Sequence, residues 1–184
     1  MAESIARNLT RPVHVGNVTI GGGAPVVVQS MTCTPTVNVS ATLEQVNQLA
    51  KAGCDIVRVS VPTREALKSF RDICSESPVP IVADIHFDYR LALGALDAGA
   101  AKLRINPGNI GSWDKVDAIL DKAGSMGAAI RIGVNAGSIE KDLLERADLT
   151  QSEKLVSSAM RFVEHFESRG FENIVLSAKA HSVN

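Results

Sequence analysis

The 184-residue chain has no uninterrupted apolar run near the roughly 20 residues that span a bilayer. Its opening, Met-Ala-Glu-Ser-Ile-Ala-Arg-Asn, lacks the apolar core of a secretory signal, so a cytoplasmic protein with no membrane partner is expected. An excess of charge is also missing. Nineteen Lys and Arg stand against 20 Asp and Glu, which removes the broad positive field that non-specific nucleic-acid binding uses and leaves any affinity for anions to local geometry. Cysteine is sparse and odd in number. Cys33, Cys54 and Cys74, spaced 21 and 20 apart, match neither a disulfide framework nor a CxxC metal site. Reduced thiols and no metal centre are expected of them, with Cys54 and Cys74 packing near helix ends. Neither GxGxxG nor a Walker A motif occurs.

What is present is a globular balance, 45% hydrophobic and 21% charged, in a length suited to one domain. Short β-rich runs recur at 26–31, 56–61, 81–87, 102–106, 130–135 and 174–179. Between them apolar residues fall at helical spacing: Leu43, Val46, Leu49 and Ala50; Leu67, Phe70 and Ile73; Val116, Ile119 and Leu120; and Leu155, Val156, Ala159, Phe162, Val163 and Phe166. Gly53, Gly99, Gly127 and Gly170 each follow a helical stretch, where glycine ends helices in the left-handed conformation, and Thr63, Asp88 and Ser112 stand at expected N-caps. Strand, helix, glycine, strand repeated about five times calls for parallel strands with right-handed crossovers, in an α/β barrel or a doubly wound sheet. Ahead of them, Val13-His14-Val15 and Val18-Thr19-Ile20 flank Gly16-Asn17, a hairpin signal suited to plugging the bottom of a barrel. His14 in it is expected to be structural.

Strand side chains alternate between faces, and here one face is apolar. Val57, Val59 and Val61 oppose Arg58 and Ser60; Ile85 and Phe87 oppose Asp84 and His86. Likewise Leu103 and Ile105 oppose Lys102, Arg104 and Asn106; Ile130, Ile132 and Val134 oppose Arg131, Gly133 and Asn135; Ser177 and Lys179 share a face. Parallel strands ordinarily read as continuous apolar runs because both faces are covered. A face carrying Arg58, Arg104, Arg131 and Lys179 on four strands is therefore unusual. Buried charge is costly without partners, and the acidic candidates on that side are Asp84 and Asp88. Four cations against two carboxylates leave an excess of two, which an anionic ligand would neutralise at the strand ends where α/β folds bind ligands. Arginine's planar fork and lysine's point charge both suit phosphate. His86 is a candidate proton donor or neutral hydrogen-bonding group, and Asn106 and Asn135 carry amides able to orient ligand oxygens. His165 reads as a helix-surface residue and His181 as a loop residue.

The segments Val15-Gly16-Asn17-Val18, Gln29-Ser30-Met31-Thr32, Asp55-Ile56-Val57-Arg58-Val59-Ser60-Val61-Pro62, Ala83-Asp84-Ile85-His86-Phe87-Asp88-Tyr89-Arg90, Leu103-Arg104-Ile105-Asn106-Pro107-Gly108-Asn109-Ile110-Gly111 and Ile130-Arg131-Ile132-Gly133-Val134-Asn135-Ala136-Gly137-Ser138 together resemble the 4-hydroxy-3-methylbut-2-enyl diphosphate synthase family. The resemblance covers essentially the whole chain. It implies the non-mevalonate route to isoprenoids, in which 2-C-methyl-D-erythritol 2,4-cyclodiphosphate is reductively opened and dehydrated to the linear allylic diphosphate. It further implies a TIM barrel that binds this substrate through Arg58, Arg104, Arg131 and Lys179 with Asp84, His86, Asn106 and Asn135. A separate C-terminal domain of the family carries a [4Fe-4S] cluster held by three cysteines and a glutamate. Flavodoxin or ferredoxin is implied as electron donor, and a homodimer as the full-length assembly.

The chain departs from the family pattern at Cys33, where Asn is usual, and at Val37-Asn38, where Thr-Asp is common. It also ends just after the sixth run, so residues 1–184 are expected to form a partial TIM barrel of about six parallel strands with an N-terminal hairpin, lacking the iron-sulfur domain and inactive alone in reduction. Two competing readings are a pterin-binding barrel of the dihydropteroate synthase type and a non-catalytic anion-binding module.

Overall fold

In the computed structural model, residues 9–135, 137 and 139–179 are described. The opening residues 1–8, His181, and Ala136 and Ser138 of the loop after the fifth long run lie outside them. The elements are β1 (Val13–Val15), β2 (Val18–Ile20), β3 (Gln29–Met31), α1 (Val39–Lys51), β4 (Ile56–Ser60), α2 (Arg64–Glu76), β5 (Ile81–Asp84), α3 (Tyr89–Asp97), β6 (Lys102–Ile105), α4 (Pro107–Ile110), α5 (Trp113–Met126), β7 (Ala129–Asn135), α6 (Lys141–Leu144), α7 (Gln151–Ser168) and β8 (Ile174–Lys179). Strands β3 to β8 lie side by side in sequence order, all parallel, and β1 pairs with β2 alone. This is the half-barrel expected from the alternation, with β3 and β8 at its two edges.

The apolar face of the strands packs outward on the helices. Val57, Val59, Ala83, Ile85, Leu103, Ile105, Ile130, Ile132 and Val134 join Phe70, Ile73, Leu96, Ile119, Phe162 and Phe166 in one buried cluster. At the strands' N-terminal ends, Val13 and Val15 of the hairpin pack with Ile56, Val82 and Ala129, so β1 and β2 close the bottom of the sheet. Gly16 makes the hairpin turn at φ 58°, a conformation open to glycine at little cost. The plug is also tied to the last strand's approach: the His14 backbone N–H donates to Asn173 Oδ1 at 3.0 Å, and Asn173 Nδ2 donates to the His14 carbonyl at 3.1 Å.

Four strands are shorter than the runs that announce them, β4 and β6 by one residue and β3 and β5 by three. The backbone N–H of Val28 donates to Asp55 Oδ2 at 2.7 Å instead of to a ladder partner, so β3 begins only at Gln29. Strand β5 stops at Asp84, because the chain then turns away to reach Asp88, whose carboxylate accepts from the Arg90 N–H and starts α3. Phe87 is consequently 71% exposed rather than packed beside Ile85. Thr63 caps α2 through its side chain, whereas Ser112 occupies the N-cap of α5 with no side-chain cap bond.

Helix α7 starts with a reciprocal cap: the Glu153 N–H donates to Thr150 Oγ1 at 3.3 Å, while the Thr150 N–H donates to Glu153 Oε2 at 2.8 Å. Thr150→Ala is expected to cost about 1 kcal/mol, measurable as a lower urea midpoint with unchanged slope. Among the described residues no helix is long and apolar enough to cross a membrane.

Candidate functional site

Register places the polar inner face in rows. Ser60, Asp84, Arg104, Arg131 and Val175 are successive Cα partners across β4 to β8. One step toward the N-terminal ends, Arg58, Val82, Lys102 and Ala129 form the next row, and toward the C-terminal ends Asn135 pairs with Lys179. Neighbouring strands lie about 4.8 Å apart, so long basic side chains from these rows converge on the concave side.

Asp84 is the hub. It is 3% exposed, and Arg104 Nη1 donates to its Oδ1 at 3.1 Å. Arg58 Nε stands 3.9 Å from Oδ2, and His86 Nε2 stands 3.5 Å from the same oxygen. Arg58 also donates from Nε and Nη2 to Met31 Sδ, at 3.2 and 3.0 Å, which fixes its guanidinium plane toward β3. Gly133 of β7 lies beside Arg104: a Cβ there would stand 3.4 Å from Arg104 Nε, in contact with the guanidinium group.

Arg131 has no carboxylate partner among the described residues; its Nη2 donates to Ser177 Oγ at 2.6 Å. Burial, then the like charges of Arg58 and Arg104, hold its pKa below the ordinary arginine value, only partly offset by Asp84. Lys179 sits exposed at the end of β8. Asn106 is buried at the end of β6, its Oδ1 without a hydrogen-bond partner. Asn135 Oδ1 accepts from the Gly137 N–H at 2.9 Å and shapes the turn after β7.

The convergence expected from strand parity is thus present for Arg58, Asp84, His86, Arg104 and Arg131, but its charge balance differs. Asp88 does not serve the strand cations. It caps α3 and pairs with Arg90, whose Nε stands 2.9 Å from Oδ1, because a partner two residues away on the same turn outcompetes one across the sheet. Lys102, on the same face by the same parity yet absent from the expected anion-binding set, is 2% exposed, and its Nζ donates to Gln29 Oε1 at 3.1 Å. The inner face therefore carries five cations, Arg58, Lys102, Arg104, Arg131 and Lys179, against Asp84 alone among the described residues, an excess of four instead of two.

The other described histidines and the thiols sit elsewhere. His165 is on α7 but half-covered, its Nε2 2.6 Å from Asp117 Oδ1 and its ring 4.0 Å from that of Trp113. Cys54 and Cys74 pack against the outer core, where burial pushes the Cys74 thiol up to about 12. Cys33 is exposed, with Gln45 Nε2 donating to its sulfur at 3.1 Å. Among the described residues no group of three or more His, Cys, Asp or Glu is placed to hold a metal ion.

Residues 10–184 match the family described as the GcpE TIM-barrel domain. The chain is 51% identical over 183 residues to the 4-hydroxy-3-methylbut-2-en-1-yl diphosphate synthase (flavodoxin) of Chromohalobacter salexigens, a match covering 100% of this chain and 49% of that protein. The protein of the same name from Bacillus subtilis is 48% identical over 184 residues, with 100% and 49% covered. The chain thus spans about half the length of these relatives. Among solved structures, the 7,8-dihydropteroate synthase of Vibrio fischeri superposes with a TM-score of 0.64 at 14% identity, over 91% of this chain and 66% of that one. The type I 3-dehydroquinate dehydratase of Clostridium difficile does so with 0.60 at 13%, over 94% and 82%. At such identities these two likenesses speak to the fold alone.

Proposed function

The chain belongs to the GcpE TIM-barrel domain family, and from that premise we propose that it is the substrate-holding part of a 4-hydroxy-3-methylbut-2-enyl diphosphate synthase acting in isoprenoid biosynthesis. The observation that carries this reading is the under-neutralised cluster around Asp84: several guanidinium groups from different strands, sharing one carboxylate, face one concave surface. A cyclic diphosphate brings the compact negative charge that such a surface lacks.

The roles follow from position. Arg131, with no carboxylate partner among the described residues, has donors to spare and is the principal phosphate ligand; Arg58 and Arg104, oriented by Asp84, present their remaining donors beside it. Lys179 and Asn135 come from paired positions at the C-terminal ends of β8 and β7 and close over the ligand's outer side. The Asn106 amide, buried in the floor of that end, positions ligand oxygens. His86, 46% exposed in its side chain and held at 3.5 Å from Asp84, is the group placed to move a proton at a leaving oxygen, with Asp84 keeping the ring oriented.

The full reaction, reductive ring opening with loss of water, needs two electrons. In the family these pass through a [4Fe-4S] cluster, and the relatives' names specify flavodoxin as donor. The described residues do not fit that cluster: the three cysteines are dispersed, and burial disfavours the thiolate of Cys74. Binding and orientation of the diphosphate are therefore the part of the reaction assigned to this chain.

Calorimetric titration tests the assignment against the pterin-binding alternative, which rests on fold likeness at 14% identity. The cyclic diphosphate is expected to bind and a pterin diphosphate not; the reverse preference overturns it.

A further inference from the structure

Lys102 is the most buried cation among the described residues and has no part in the binding scheme above. It opens β6, on the inner face, one row below Arg104. Its ammonium reaches across the concave side to Gln29 of β3, a neutral partner, and no carboxylate lies within ion-pair distance among the described residues. The charged or titratable groups sharing this inner face are Arg58 of β4, Asp84 of β5 with His86 just beyond it, Arg131 of β7 and Lys179 at the far end of β8, with Arg104 on its own strand. Asp84 is already engaged by Arg58, Arg104 and His86. Buried ammonium groups are costly unless paired, so this arrangement lacks a counter-ion.

The place for one is present. A cavity of about 570 Å³ opens between the plug, the β3 edge and the β8 edge, and its wall includes Gln29, Ile56, Lys102, Arg131, Val175 and Ser177. Its cations are Lys102 and Arg131, its neutral polar side chains are Gln29, Ser177 and Thr10, and the other side chains lining it are apolar. Burial, reinforced by Arg131 and Arg58, pulls the Lys102 amine from its ordinary 10.5 down to about 8, as expected of a cation held beside like charges without an anion.

We propose that Lys102 and Arg131, with Gln29 and Ser177 as neutral partners, form an inner oxyanion subsite that takes a tetrahedral dianion, beneath the Asp84 cluster and toward the plug. The proposal deepens the diphosphate reading by adding a second anion position, and it stands or falls on different measurements. The oxyanion is either free in solution or one phosphoryl group of the diphosphate.

Sulfate is the probe, since it stays a dianion across the working pH range. Its affinity for the full chain is expected to fall roughly tenfold between pH 7 and pH 9, as the amine near pH 8 loses its proton. In Lys102→Met, sulfate affinity is expected to be at least tenfold weaker at pH 7 and flat with pH. Stability gives an independent readout. Without anion, the unfolded chain keeps the Lys102 proton between about pH 8 and 10.5 while the folded chain has released it, so this group makes wild-type stability rise with pH across that window. Lys102→Met is expected to remove that rise and to melt higher than wild type at pH 7, with sulfate closing the gap. Sulfate binding that ignores both pH and the substitution overturns the proposal, as does a wild-type protein whose stability does not rise from pH 8 to 10.5 relative to the variant.

Sulfate and the cyclic diphosphate offered together separate the two sources. Additive stabilisation identifies an independent anion, and displacement identifies the diphosphate's inner phosphoryl. A chain that shows the Lys102-dependent sulfate response but ignores the cyclic diphosphate retains this subsite and loses the functional assignment above.

Discussion

Asp84→Asn is expected to lower the unfolding free energy by about 3 kcal/mol, to be read as a fall in urea midpoint at constant slope. The carboxylate is 3% exposed and is the sole acidic partner, among the described residues, for Arg58 and Arg104, besides orienting His86. Removing one partner of a buried pair strands the other charge, and here two guanidinium groups are stranded at once. Their partial contact with solvent keeps the loss toward the lower end of the range for buried pairs. Diphosphate binding is expected to weaken as well, because the two guanidinium planes lose the anchor that aims them. A variant within about 0.5 kcal/mol of wild type would mean that the cluster is hydrated and that Asp84 organises nothing.

Arg131→Met is expected to have the opposite profile. Arg131 is bound to Ser177 and surrounded by like charges, so its removal relieves repulsion from Arg58 and Arg104, and the fold is expected to keep or gain stability. Affinity for the cyclic diphosphate is expected to drop by about a hundredfold, near 3 kcal/mol, the cost of deleting one charge-assisted bidentate donor. Calorimetry on the purified variant, beside a melting curve, reads both. Loss of stability together with retained affinity would reassign Arg131 to the scaffold. Charge reversal at Arg104 is a less clean experiment, since a new carboxylate there would face Asp84 at a contact now 3.1 Å long.

How much of this was legible beforehand differs by residue. The two-residue alternation along β4, β6 and β7 places Arg58, Arg104 and Arg131 on one side, and burial of Val57, Leu103 and Ile130 on the other confirms the parity. Glycines at 53, 99, 127 and 170 mark helix ends, and all four have positive φ. Charge bookkeeping was less accessible. Asp88 shares the parity of Asp84 and His86, but parity is meaningful only while the strand continues, and β5 ends at Asp84. Lys102 carried the right parity signal and escaped the anion-binding set because it lies at a strand's beginning, away from where ligands usually gather. Its pairing with Gln29, 73 positions earlier, depends on the sheet curling until β6 faces β3. Curvature of that kind is a property of the assembled strands, invisible in any single run. The His165 contacts with Asp117 and Trp113 belong to the same class, since they arise from where α7 lies against α5.

The double hydrogen bond between His14 and Asn173 joins positions 159 apart. On a ribosome adding about 5–20 residues per second, the hairpin waits roughly eight to thirty seconds before its tether emerges. The apolar partners of Val13 and Val15, namely Ile56, Val82 and Ala129, all precede Asn173 in the chain. Both bonds of the latch therefore wait for residue 173 to emerge, and a chain cut before Asn173 is expected to protect its hairpin less against proteases than the full chain does.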